Sequence, residues 1–472
     1  MATTATVQFG KWMPDDDKNI EPGLPLMWLN SQRVNLDDAQ NVLYTGASWR
    51  LFKPLVTSGT AVPATVRDAC AVDDSGAQEV FCAAGGDLYH IVSGTPTQVS
   101  KSAGAYSGTA GWQFQAYGDC LMATNGVDPV QAWTVSTSSA FADLAGSPPI
   151  GSVIAIVRDF VVLGNLTYID GPHTHRVQWS GLANATSWPT PLTQDARAAQ
   201  SGYQDLYAEY GPVQYIAAGE EFGIIFQQRG IVRMRYVGGD VVFDFYTFER
   251  KRGLLTPRAA AQMGDTVFFL SGDGFYATDG NTVKPIGYGA VNLWFFAKCY
   301  DTSKVRAAVD SKTQCAYWSF PSTAGSNDYV LVYNFQEDVW SYAVNTTVAL
   351  FEGLSSSAHI PQAFDTTYKL GSFTGTQPAG EIQTKIFRLQ SDMKSDVWSA
   401  RVLADDVAQV AIAATQSDDD VQAFGSYVAR ETRTRKSSFR SNGYAHAFKV
   451  LLGSNTTYAQ GVEIDFDPRS TQ

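Results

Sequence analysis

Charge is scarce in this sequence. Asp, Glu, Lys and Arg together make up 17% of its 472 residues, below the usual quarter. A helical protein would carry far more Glu, Lys and Leu, so the composition points away from a helical fold. Cysteine is scarce as well. Cys70, Cys82, Cys120, Cys299 and Cys315 are odd in number, widely spaced and without a C-x-x-C pair. Neither a disulfide framework nor a cysteine zinc site fits that spacing, and most of the five lie in apolar runs and read as buried thiols. No stretch approaches the ~18 apolar residues a membrane helix needs, and the first residues carry no basic region followed by an apolar one. The expectation is a chain made in the cytoplasm, with no membrane span and no secretory leader.

Positive charge is in deficit. With 34 Lys and Arg against 46 Asp and Glu, the formal net charge is −12. Such a balance keeps a protein soluble and argues against a role coating nucleic acid. It is compatible with a surface past which a polyanion slides without sticking.

Catalytic signatures are missing too. There is no G-x-S-x-G, no Walker loop and no H-E-x-x-H. Of the five histidines only His173 and His175 are close, and on a strand they would share a face, a geometry that metal sites use. Asp170 is the one carboxylate nearby, so a hydrogen-bonded loop pair is the expected reading. Asp273-Gly274 and Asp279-Gly280 could suggest calcium, but two carboxylates are few for such a site and Asp-Gly is the ordinary hairpin-turn dipeptide. Glycosidase-like propellers need paired carboxylates, and nothing in the sequence nominates a pair. No cofactor is expected, and the chain reads as a non-enzyme.

What is present is turn-rich and apolar: 41 glycines, 12% aromatics and 44% hydrophobic residues, enough for sizeable cores. The stretch from Phe222 to Gly287 sets the pattern. Apolar runs Gly223–Phe226, Ile231–Tyr236, Val241–Phe248, Val267–Leu270 and Phe275–Thr278 alternate with turns such as Gly238-Gly239-Asp240 and Ser271-Gly272-Asp273-Gly274. These read as antiparallel strands joined by tight turns. Similar units begin near residues 80, 120, 160, 223, 267 and 316, separated by roughly 40 to 60 residues, and several gaps match the period of a four-stranded propeller blade. The fold class is all-β: a β-propeller-like body of repeated antiparallel hairpin units, with an irregular N-terminal arm and a small C-terminal β-domain. Stacked sandwiches or a barrel would also give evenly spaced strands.

Three regions follow. Residues 1–60 form the arm, whose Trp12 and Trp28 are expected to lie against the body or a neighbouring subunit. Residues 61–375 form the propeller body. The polar segment Gln194–Gln204 reads as a loop insertion, and any seventh blade would be closed with material from the N-terminal region or from 350–375. Residues 376–472 form the C-terminal β-domain after a hinge at Pro378-Ala379-Gly380. This last region carries an acidic tip, Asp418-Asp419-Asp420, then a basic strip of Arg430, Arg433, Arg435, Lys436 and Arg440. Arg433 and Arg435 would share a face if the strip is a strand. In so acidic a chain the strip is a candidate contact with an acidic partner, a neighbouring subunit or, less readily, DNA phosphates; a solvated face is the plainer alternative.

Short motifs in a fixed order add a resemblance. They are Val177-Gln178-Trp179-Ser180 with Trp188, Phe226-Gln227-Gln228-Arg229-Gly230-Ile231, Tyr236-Val237-Gly238-Gly239, and Gly253 with Pro257. Gly264-Asp265-Thr266-Val267-Phe268-Phe269-Leu270-Ser271, Asp273-Gly274-Phe275-Tyr276, Asp279-Gly280 and Pro285-Ile286-Gly287 follow. From about Ile156 to Ser319 the sequence resembles the β-propeller tail nozzle or tail-tubular proteins of short-tailed bacteriophages, some of them called packaged-DNA stabilisation proteins. The likeness is weaker in the C-terminal strands and does not reach the first sixty residues. It implies a structural virion protein made in the host cytoplasm and located in the tail. Such proteins form a homo-oligomeric ring, usually of six subunits, that encloses the DNA channel, retains packaged DNA and opens for ejection. The implied partners are portal and adaptor proteins, tail fibre, spike or needle proteins, and viral DNA passing without sequence-specific binding. The alternative is a carbohydrate-binding or carbohydrate-cleaving propeller acting in host receptor recognition.

Overall fold

A computed structural model of the chain describes residues 3–16, 33–107, 111–355, 358–377, 379–390, 393–416 and 422–469. Strands take up 57% of the chain and helices 4%, so the fold is all-β. Trp28, Pro378 and the acidic tip Asp418–Asp420 lie outside the described residues.

The second strand of each repeat is the part most visible in the sequence, and the structure explains why. Ala77–Ala84, Cys120–Thr124, Phe160–Tyr168, Phe222–Gln227, Thr266–Ser271 and Cys315–Phe320 each carry a run of consecutive buried residues. A strand buried on one face alternates; a strand inside a blade is covered by the next blade on both faces and does not. These runs begin close to the expected starts at 80, 120, 160, 223, 267 and 316.

Each run sits in a four-stranded antiparallel unit. Blade 1 spans Val66 to Gln98, blade 2 Gln113 to Asp143, blade 3 Ile150 to Asp205, blade 4 Val213 to Glu249 and blade 5 Ala260 to Pro285. Blade 6, Arg306 to Thr347, has the same order but is not a separate sheet, because its outer strand Val339–Thr347 joins a larger one. Blade 7 takes Leu350–Ser355, Ala358–Phe364 and Leu370–Phe373 from the end of the repeat series and Leu55–Thr57 from the N-terminal region. The propeller is thus closed by material from both expected sources. In blade 3 the polar segment read as an insertion contains a short helix, Gln194–Ala199, whose N-cap Thr193 accepts from the Ala196 amide.

The N-terminal arm differs from the irregular chain expected of it. Thr3–Trp12 is a strand with Ala5, Val7 and Phe9 buried at period two. It runs antiparallel to Ala459–Arg469 and parallel to Arg33–Gln40. Arg33–Gln40 in turn pairs with Ala379–Thr384 and, through Gln40 and Tyr342, with blade 6. The C-terminal strands are therefore not a self-contained domain: a single 15-stranded sheet crosses from blade 6 through both N-terminal strands into them. One hydrophobic core does the same, running from Ile464 and Phe466 through Trp12 to Trp318 and Trp340. Trp12 is the joint. Its ring stands edge-on to Trp294 at 4.9 Å and lies 5.0 Å from Tyr342, and its indole N–H donates to the Asp37 carbonyl at 3.2 Å.

Two glycines of the sequence motifs have a physical reason in the packing. A Cβ on Gly253 would come 2.1 Å from the Gln227 carbonyl oxygen, and one on Gly287 would come 2.1 Å from Asn292 Oδ1. Asn292 also accepts from the Phe275 amide at 3.2 Å and donates to the Asp273 carbonyl at 3.3 Å. The motif pieces thus touch one another, tying blade 4 to blade 5 and blade 5 to the helix Asn292–Lys298.

Candidate functional site

The innermost strands of the seven blades surround an axial cavity of about 560 Å³. All seven contribute to its wall, from Asp68 and Cys70 in blade 1 round to Glu352 in blade 7. Inner strands border this space along their edge, with unbroken runs such as Asp68–Val72 and Gln113–Ala116 reaching it, so they are mixed in character where the second strands are largely apolar.

Two charged groups occupy it. At one end Asp68, 6% exposed, forms an ion pair with Arg258, has Arg306 Nε 3.8 Å from its Oδ1, and accepts from the Trp112 amide at 2.8 Å. Arg258 also donates to the Trp112 carbonyl. Burial lowers the pKa of the Arg306 guanidinium, and Asp68 pulls it back up. Further along, burial pushes the Glu352 carboxyl up to about 7, opposed by a hydrogen bond from the Val309 amide. His359 Nδ1 lies 3.7 Å from Glu352 Oε2. The Tyr215 hydroxyl is raised first by burial and then by the nearby Glu352, and burial raises the Cys70 thiol.

The turns between first and second strands of successive blades lie at a common end of the propeller and are acidic. They carry Asp73 and Asp74, Asp119, Asp159, Glu220 with Glu221, and Asp265, all exposed or half-exposed. Arg158 and Lys312 are the cations on these turns, and the Arg158 guanidinium is stacked over Tyr236 at 4.4 Å. Seven carboxylates against two cations give this end a negative potential.

The residues singled out from sequence are scattered. The basic strip is not one strand face: Arg433 and Arg435 sit in a tight loop closed by the Arg435 amide donating to the Glu431 carbonyl at 2.9 Å. Lys436 is neutralised by Asp465 and, at 3.7 Å, Glu463, while Arg430 donates to the Asp406 carbonyl at 3.3 Å. Arg433, Arg435 and Arg440 remain exposed. His173 and His175 lie on the strand Gly171–Trp179 and not in a loop, and His173 pairs with Asp170 at 3.3 Å. Asp279 accepts from the amides of Thr282 at 2.8 Å and Asn281 at 2.9 Å, which hold its carboxyl below the usual range; Asp273 is bound by Arg252 and Tyr276. Both carboxylates therefore serve their turns. A Ser–His pair unmarked by any motif, Ser395 Oγ to His446 Nε2 at 2.9 Å, has both residues fully buried and burial drives the imidazole down to about 4. It acts as a core hydrogen bond. Among the described residues no group of three or more His, Cys, Asp or Glu is placed to hold a metal ion.

Comparison with known proteins identifies no family. No family model matches the sequence, and no curated protein matches it. Solved structures do resemble the fold. The WD40 domain of Neurospora crassa Pan2 aligns over 68% of this chain and 97% of its own at 6% identity, TM-score 0.42. BamB from Moraxella catarrhalis aligns over 78% and 97% at 10% identity, TM-score 0.38. A computationally designed protein, Ika8, aligns over 68% and 98% at 10% identity, TM-score 0.38.

Proposed function

We propose that this chain is a structural subunit of the tail of a short-tailed bacteriophage, a nozzle or tail-tube component. Its copies form a ring around the DNA path that holds packaged DNA and opens for ejection. The observation that carries the reading is the ordered motif set between Ile156 and Ser319. Two of its glycines, Gly253 and Gly280, lie against Gln227 and Phe222 of blade 4, so the resemblance includes residues that build the wall. Two further features support it. A continuous sheet and core join the propeller to the terminal strands, as a pressure-bearing wall requires. The acidic turn end offers DNA a surface that repels phosphate, past which a duplex can move. The exposed Arg433, Arg435 and Arg440 suit contact with an acidic face of a neighbouring tail protein.

The reading is tested by electron microscopy of the purified chain, alone and mixed with portal and adaptor proteins, and by searching purified tailed particles for its peptides by mass spectrometry. Rings and presence in the particle are expected. A chain that stays monomeric under every condition, is absent from particles and binds glycans saturably would overturn the proposal in favour of a receptor-binding role.

A further inference from the structure

At the Asp68 end of the axial cavity two guanidiniums share one carboxylate, and neither the charges nor the hydrogen bonds balance. Arg258 and Arg306 each offer five N–H donors. Asp68 Oδ1 faces both guanidiniums, and Oδ2 is taken by the Trp112 amide. Backbone carbonyls of Trp112, Ser303 and Val305 accept three more contacts. Arg306 Nε is fully buried with no hydrogen-bond partner, and no bond is made to Arg306 Nη2 among the described residues. The Arg306 side chain is 20% exposed and holds one buried donor unpaired, which is costly, and an arginine beside a partly open cavity is relieved by a planar oxyanion that takes two of its N–H groups at once. Arg258 is held in place for this: it lies flat over Gly111, where a Cβ would approach its Nη2 to 2.7 Å.

We propose that this end of the cavity binds a small molecule bearing an oxyanion, a carboxylate or a phosphate, with Arg306 and Arg258 clamping the acid group. The lining also includes Ala69, Phe114 and Ala116, which suits a carbon body, and Glu352, whose carboxyl can accept a hydrogen bond. A volume of about 560 Å³ is in the range of small-molecule sites. The site belongs to one chain and does not depend on ring formation or on the tail reading.

Isothermal titration of the full chain with benzoate, acetate and inorganic phosphate, at fixed ionic strength set with chloride, tests the proposal. At least one probe is expected to saturate at one per chain. Benzoate tighter than phosphate identifies an organic acid as the ligand, and the reverse a phosphate ester. Arg306→Gln should weaken binding at least tenfold, whereas Arg433→Gln, in the exposed loop, should leave it unchanged. Asp68→Asn should tighten binding while lowering the thermal midpoint, an opposition that a purely structural cross-link would not produce. If Arg306→Gln fails to fold, Arg306→Lys keeps the charge but loses the fork, and weaker binding by that variant is the expected result. Absence of saturation by every probe on the wild-type chain, or equal affinity in the Arg306 variants, overturns the proposal.

Discussion

Replacing Trp12 by Ala tests whether the terminal strands and the propeller are one cooperative body. Trp12 is 1% exposed, with Trp294 at 4.9 Å and Tyr342 at 5.0 Å, and its indole N–H is bonded to the Asp37 carbonyl. Truncating a buried Trp to Ala costs about 3–5 kcal/mol from lost transfer energy and the cavity left behind. Losing the hydrogen bond to the carbonyl of Asp37, an exposed residue, adds up to about 1 kcal/mol. A loss of about 3–6 kcal/mol is expected, a large part of the ~5–15 kcal/mol of a typical domain. The assay is denaturant unfolding followed by tryptophan fluorescence and by far-ultraviolet circular dichroism. Because Trp12 belongs to the core that runs into blades 4, 5 and 6, both probes should shift together to lower denaturant. Trp12→Phe, which keeps most of the volume, should cost only about 1–1.5 kcal/mol. A shift below about 1 kcal/mol for Trp12→Ala, or two separated transitions of which only one moves, would refute the shared-core argument.

Other outcomes follow from the same geometry. Glu352 binds its proton more tightly folded, with a pKa of about 7, than at the ordinary carboxyl value of 4.5. Its contribution is therefore zero at low pH, and stability falls as pH rises between those values. Glu352→Gln should remove that slope, raising stability at pH 8 relative to wild type by about 1–2 kcal/mol after allowing for partial exposure, measured by thermal melts across pH 4–8. Arg258→Ala should destabilise by about 1–3 kcal/mol, since it removes the closer ion pair of Asp68 and the donor to the Trp112 carbonyl while Arg306 and the Trp112 amide still face the carboxylate, and denaturant midpoints will read it. Gly146→Ala should lower the melting temperature sharply, because φ is +87° and a Cβ would meet the Thr186 carbonyl at 1.8 Å. Deleting residues 1–16 should give an insoluble chain or one with exposed apolar surface, read by dye binding, since the Thr3–Trp12 strand lies between two others.

Legibility in the sequence followed the burial pattern. Second strands such as Val267–Leu270 are apolar throughout and were plain to read, and so was the turn chemistry of Asp279-Gly280. Inner strands were not. Arg306–Asp310 and Ala260–Met263 carry Arg306 and Gln262 because these residues border the cavity, and Asp310 because it accepts from the turn amides of Lys312 and Thr313. Leu55–Thr57 is too short to show a period, and only its partners in blade 7 make it a strand. The Thr3–Trp12 strand did carry a signal, with Ala5, Val7 and Phe9 alternating, but the Pro14 and Asp run behind it reads as irregular chain. Asp68, Arg258, Arg306 and Glu352 are single charged residues far apart in sequence. Nothing short of the closed ring of strands brings them together.

The way blade 7 is closed also fixes when the molecule can exist. Leu55–Thr57 leaves the ribosome early, yet its partner Leu370–Phe373 follows roughly three hundred residues later, on the order of 15–60 s at ordinary rates of synthesis. Thr3–Trp12 waits longer still, for Ala459–Arg469 near the end of the chain. Until then the cell holds an open coil of blades whose first strands lack their later partners, a substrate for chaperones and a hazard for tangling with its neighbours. Closure therefore comes late and in two steps, and a translation product cut before Leu370 has no closed form in which to compete with the finished one.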